Sequence, residues 1–168
     1  MKVLTAFVIG SIALPLVIVL VGILGFLPSN STQAPPKIES EITARALNAS
    51  LERRARGLRN PVSGNDTAAL ATGMGIYSEN CAGCHGTAKA PSPRGMNGFY
   101  PRAPQFWQDG SDLTSEEAYA AIHDGIRYSG MSAWRDLIKD DAMWKVATFV
   151  SHIGRLPPEL QQKAKSAQ

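Results

Sequence analysis

Cysteine is scarce in this chain, with Cys81 and Cys84 the only two among 168 residues. No disulfide can compete for them unless they pair with each other. Histidine is nearly as sparse. His123 and His152 stand isolated from His85, so the second Cys or His pair that a four-ligand zinc site needs is missing. Beyond residue 60 the chain has none of the Val/Ile-rich strands that would give a thioredoxin-like dithiol its βαβ setting. Charge is absent from Val3 to Leu27 and balanced from Asp66 onward, where 10 Lys/Arg face 11 Asp/Glu. The net charge of +3 therefore arises upstream, where residues 28–60 carry six Lys/Arg against three acids. A nucleic-acid-binding module concentrates positive charge on its folded face, so this distribution argues against nucleic acid as a partner. It is compatible with the basic segment resting on anionic lipid or on an acidic subunit.

The uncharged run is itself informative. Its 25 residues, as a helix rising about 1.5 Å each, reach about 37 Å, enough to cross a hydrocarbon core of about 30 Å. Pro15, Gly10, Gly22 and Gly25 are tolerable in a membrane helix. A cleaved signal peptide has a shorter apolar region of about 7 to 15 residues, although Ser29 and Ser31 offer small side chains for cleavage. The expectation is an uncleaved transmembrane helix that contacts lipid. Lys2 precedes it, and Arg45, Arg53, Arg54, Arg56 and Arg59 follow at or beyond the range over which charge bias sets orientation.

Pro28 to Pro36 reads as an exposed polar tether, and the apolar stripes Ile38, Ile42, Ala46, Ala49 and Leu47, Leu51, Ala55, Leu58 read as an amphipathic basic helix over about 38–57. Asn60-Pro61 and Ser63-Gly64-Asn65 break it. Asp66 or Thr67 then caps a helix whose stripe Leu70, Met74, Tyr77 runs into Cys81. Residues 86–112, rich in glycine and proline, read as a long wrapped loop, which needs a functional reason. Thr114-Ser-Glu-Glu117 is a capping box that starts a helix over about 115–125. A last helix covers about 140–153, closed by Gly154 and Pro157. The expected organisation is a transmembrane anchor over 1–27, a linker over 28–65, an all-α domain over 66–158 and a polar tail over 159–168.

Within that domain Cys81-Ala82-Gly83-Cys84-His85 is the C-x-x-C-H pattern of covalent haem attachment. Two thiols one helical turn apart can each add to a vinyl group of one porphyrin, and the adjacent imidazole then lies under the iron. For the opposite axial position the candidates are Met74, Met96, Met131, Met143, His123 and His152. Met74 and Met143 fall on apolar helix faces, where methionine is usually filler. His123 and His152 are also helical. Met131 stands out, lying in the glycine-containing loop Tyr128 to Trp134, 46 residues after His85. Met96, a histidine or an open site are the alternatives.

With Gly73-x-x-x-Tyr77-x-x-x-Cys81 ahead of C-x-x-C-H, Gly130-Met131 followed by Trp134, and an aromatic-rich last helix, residues 66 to 156 resemble a class I cytochrome c of the membrane-anchored, monohaem bacterial type. The resemblance implies three main helices around one covalent haem c, with His85 and Met131 as iron ligands. It implies that Gly73 lets the first helix cross the last near Phe149. It also implies that a proline carbonyl in the loop accepts the proton of the His85 ring; Pro104 is the choice and Pro101 the runner-up. The segment between His85 and that proline is longer here than in the family. Tyr128, Trp134 and Arg127 become candidates for propionate contacts, and Tyr77 for lining the haem. The expected function is single-electron transfer between respiratory-chain partners without breaking substrate bonds, in the cytoplasmic (inner) membrane with the haem domain on the periplasmic side. The alternatives are a permanent cytochrome subunit of a membrane dehydrogenase or oxidase, and a haem-based ligand sensor or peroxidase with a labile distal ligand.

Overall fold

The computed structural model describes residues 2–27 and 29–166, with side chains from residue 10 onward. Residues 3–9 of the expected span, as side chains, Pro28 of the tether, and residues 167 and 168 of the tail lie outside the described residues. The chain divides into two units, Met1–Asn30 and Ser31–Gln168.

The first unit is helix α1 (Lys2–Ile23), with Pro15 inside it, closed by a turn in which Gly25 takes a φ of 78°. From Ile12 to Leu24 its large apolar side chains are exposed, apart from the partly buried Val21. Among the described residues no helix is long and apolar enough to cross a membrane. The part of α1 with described side chains, residues 10–23, rises only about 21 Å. The fold thus leaves the transmembrane expectation for 1–27 without support of its own.

In the second unit the described residues form helices and turns only. They are α2 (Lys37–Ala55), α3 (Thr67–Asn80), α4 (Ala82–His85), α5 (Pro93–Asn97), α6 (Phe106–Asp109), α7 (Ser115–Asp124), α8 (Asp140–His152), a 3-10 turn (Ile153–Arg155) and α9 (Pro158–Ser166). The three larger helices of the all-α core start where local chemistry dictates. The Asp66 carboxylate accepts from the Ala69 N–H at the start of α3, and Thr114 and Glu117 cap α7 reciprocally. Asp140 and Asp141 place negative charge in the first turn of α8.

Helix α8 is the hub, packed by α3 and by α7. Met143, Val146, Ala147, Phe149 and Val150 are buried on it, against Leu70, Met74 and Tyr77 of α3 and Ala118 and Ile122 of α7. The crossing with α3 is close at Gly73, where an added Cβ would stand 2.3 Å from the Lys145 carbonyl oxygen and 2.8 Å from Phe149 Cβ. The helix-weakening effect of glycine, about 1 kcal/mol against alanine, is offset by the packing that this approach permits.

Three expectations are corrected. The basic helix expected over about 38–57 forms as α2, but the linker that contains it is docked on the domain: α2 packs on α7, Leu51 is 4% exposed, and Asn60 beyond it donates from its side chain to Thr148 Oγ1 at 3.0 Å and from its backbone to Glu116 Oε1 at 3.2 Å. The stripe through Leu51 faces protein, while Ile38 and Ile42 on the other remain exposed. The wrapped segment 86–112 contains α5 and α6; Ser92 caps α5, with Pro93 at its first position. The polar tail is mostly α9, held by Leu160, which is 4% exposed within the core cluster.

Candidate haem site

The C-x-x-C-H segment sits at the joint between two helices. Cys81 ends α3, its N–H bonded to the Tyr77 carbonyl, and at the same time opens the single turn α4. The Cys84 and His85 N–H groups both donate to the Cys81 carbonyl, at 3.0 and 2.9 Å. The turn closes at Gly86, whose φ of 78° is a left-handed backbone that side chains rarely adopt.

So short a helix leaves its carbonyls without intrahelical partners, and side chains from three directions satisfy them. Ser92 Oγ donates to the Gly83 carbonyl at 2.6 Å, and Gln105 Nε2 to the Cys84 carbonyl at 3.0 Å. The Tyr77 hydroxyl, 1% exposed as a residue, is shared between the carbonyls of His85 and Gly86, each at 3.0 Å. Gln105 also accepts from the Ser92 N–H at 2.7 Å, so the two loop residues brace each other. Gly95 completes the brace: its missing Cβ would fall 1.7 Å from the Cys84 carbonyl oxygen.

His85 is held through its ring. Its Nδ1 lies 2.9 Å from the Pro104 carbonyl oxygen, and Phe106 stacks on it at a centroid distance of 4.9 Å and 15°. With Nδ1–H donating to that carbonyl, Nε2 is the nitrogen whose lone pair remains for a metal. Burial lowers the pKa of His85, with the Pro104 carbonyl acting in the opposite direction. Burial, aided by the neighbouring Cys84, pushes the Cys81 thiol up to about 12. A reactive C-x-x-C dithiol needs the contrary shift. Among the described residues no three His, Cys, Asp or Glu side chains converge on a metal-ion site. Two free, half-buried thiols one turn apart, followed by an imidazole of fixed tautomer, are a donor set that suits haem.

The remaining expected residues occupy varied places. Met131 is partly buried against the core cluster, as is Trp134, whose backbone N–H donates to the Ile122 carbonyl at 3.0 Å. Tyr128, with a φ of 60°, is 90% exposed, and Arg127 is exposed. Pro101 is exposed, and Met96 is partly buried in α5. His123 bonds to Asp124 at 2.7 Å, and the His152 ring nitrogen to the Thr148 carbonyl at 2.8 Å. No motif in the sequence marks Ser92, Gln105 or Gly95 as part of the site. Ser92-Pro93 was the available signal, as an N-cap followed by proline at the first helical position.

The family model described as cytochrome C oxidase, cbb3-type, subunit III, matches residues 68–150. Searches of the curated proteins and of the solved structures find no match. The matched segment begins in the first turn of α3, contains the C-x-x-C-H turn and its braces, and ends within α8. Over these residues the chain carries a class I, monohaem cytochrome c domain, which binds one haem c covalently and serves electron transfer.

Proposed function

We propose that this chain is a membrane-tethered electron carrier that passes single electrons between respiratory-chain proteins, with His85 and Met131 as the axial ligands of its haem. The observation that carries this reading is the 2.9 Å bond between His85 Nδ1 and the Pro104 carbonyl. It fixes the tautomer and orientation of the imidazole before any metal arrives and raises its basicity as a ligand. The bound haem supplies a reversible one-electron iron couple. Thioether ligation favours the ferrous state and raises the potential. The chain's own contribution is to bury the porphyrin, hold both ligands in each oxidation state and leave an edge near the thiols accessible. Docking to redox partners is weak and transient, through a small interface. The decisive experiment is a redox titration of the wild type and Met131→Ala: the variant's midpoint falls and its ferrous iron binds carbon monoxide rapidly. An unchanged midpoint removes Met131 from the iron and leaves the ligand-sensing alternative in place.

Tethering rests on the charge-free run Val3–Leu27 and on the exposed apolar side chains of α1. It raises the effective concentration of the domain near membrane partners. The proposed location is the cytoplasmic membrane, single-pass, with the haem domain on the periplasmic side. A second reading, a permanent subunit of an oxidase complex, is favoured by the description of the matching family. Extraction in mild detergent separates the two: a carrier emerges alone, a subunit with its complex.

A further inference from the structure

We propose that Arg54, on a helix outside the family-matched segment, is a positioning residue for the loop that bears Met131. The proposal rests on the reading of Met131 as an iron ligand and adds a second, remote determinant of that ligation.

Arg54 lies in the last turn of α2, its side chain only 27% exposed. One guanidinium nitrogen, Nη1, reaches three acceptors at the C-terminal end of α7. These are the Ala120 carbonyl at 3.5 Å, the Gly125 carbonyl at 3.3 Å and Asp124 Oδ2 at 3.5 Å. A helix C-terminus presents unpaired carbonyls and partial negative charge, so a fixed cation there both satisfies and attracts. Hydrogen bonds of this length are individually modest, and the convergence of three on one group is what distinguishes Arg54 from the exposed Arg53 and Arg56 beside it.

The end of α7 that Arg54 grips is also the base of the Met131 loop. Gly125 takes a φ of 68°, and the space where its side chain would stand is filled by loop backbone: the Met131 carbonyl oxygen at 2.9 Å, Ser132 C at 2.8 Å and Ala133 N at 2.7 Å. The Ile126 N–H donates to the Met131 carbonyl at 3.0 Å. Ser129 Oγ donates to the Ile126 carbonyl at 2.7 Å and accepts from the Met131 N–H at 3.1 Å. Where the chain leaves the loop, Arg135 approaches Asp124 Oδ1 at 3.7 Å, the same oxygen that His123 contacts at 2.7 Å. The Asp124 carboxylate therefore joins α2, α7 and the loop exit. Removing the Arg54 guanidinium frees the Gly125 carbonyl and one Asp124 oxygen, and the loop base opens more often. Opening at that base withdraws Met131 without touching its side chain.

The test compares full-length holoprotein carrying Arg54→Ala, Arg54→Lys, Arg53→Ala or Met131→Ala. Three quantities are read: the weak long-wavelength absorption band that methionine sulfur gives to ferric haem, the rate of carbon monoxide binding to the ferrous form, and the thermal midpoint. Arg54→Ala is expected to weaken the band and to speed carbon monoxide binding about fivefold, in keeping with the loss of hydrogen bonds to a charged group. Arg54→Lys recovers part of the effect, because it keeps a cation at the helix end without the planar fork. Arg53→Ala behaves as the wild type. If Met131→Ala abolishes the band while Arg54→Ala lowers only the thermal midpoint, Arg54 is a fold contact and the proposal is overturned. If Met131→Ala leaves band and rate unchanged, the ligand assignment itself fails and the proposal falls with it. Should Arg54→Ala not accumulate as holoprotein, Arg54→Gln carries the same comparison without the charge.

Discussion

The brace around the C-x-x-C-H turn makes sharp demands on single side chains. At Gly95 the obstacle to any Cβ is the Cys84 carbonyl oxygen, which is backbone and itself bonded to Gln105, so nothing flexible can yield. Gly95→Ala is expected to displace the turn, destabilising the domain by about 3 kcal/mol, the upper end for an overpacked site. The ratio of haem absorbance to protein after maturation should drop sharply. Gln105 is 3% exposed and serves three backbone groups, donating to the carbonyls of Cys84 and Ala103 and accepting from Ser92 N–H. Gln105→Leu strands all three in a dry site, and denaturant unfolding should show a loss of about 3 kcal/mol. Gln105→Glu can still accept from Ser92 but cannot donate to two carbonyls, so it should rescue little. A result in which Glu behaves as Gln would mean that the acceptor role alone holds the loop.

Where α7 meets α8, one aromatic stack carries the joint. Tyr119 lies on Trp144 at a centroid distance of 4.0 Å and 12°, and its hydroxyl donates to Asp140. Burial, and then the bond to Asp140, raises the Tyr119 pKa to about 12. The native state thus holds this proton at pH values where the unfolded chain, near the ordinary value of 10, releases it. The contribution to stability is complete below pH 10 and is lost as the pH rises toward 12. Urea midpoints measured at pH 9 and pH 11 should fall more in the wild type than in Tyr119→Phe, which has no proton to lose. These helices were legible because their signals are local: Asp66, the Thr114–Glu117 box and the apolar spacing on α8 each act within a turn or two. The brace was not legible, since Ser92 and Gln105 find the turn's carbonyls only after the loop has folded back on it. Helix α9 has little signal in the sequence, because Leu160 and Ala164 are its only apolar contributors to the core. The docking of α2 is not legible, because two apolar stripes on a basic helix suit a lipid surface as well as a neighbouring helix. The proline partner of His85 came from resemblance, not from spacing, and its place beside Nδ1 is a fact of the fold.

The division at residues 30 and 31 makes the chain separable in one place and not in another. A chain beginning at Ser31 keeps every contact of α2 described above, so its thermal midpoint and reduction potential should match those of the full protein. On the tethering proposal it should also leave the membrane pellet without detergent. A chain beginning at Asp66 keeps the family-matched segment but loses Leu51, Arg54 and Asn60. Uncovering what Leu51 buries is worth about 2 kcal/mol, and the two hydrogen bonds of Asn60 about 1 kcal/mol each. For a domain of about 100 residues such a loss lowers the thermal midpoint by about 15 °C or more. If the two truncated chains melt together, the packing of α2 on α7 adds nothing to the domain. The same pair of measurements also separates anchor from scaffold, since of these sixty-five residues the first thirty should govern membrane retention and the next thirty-five should add stability.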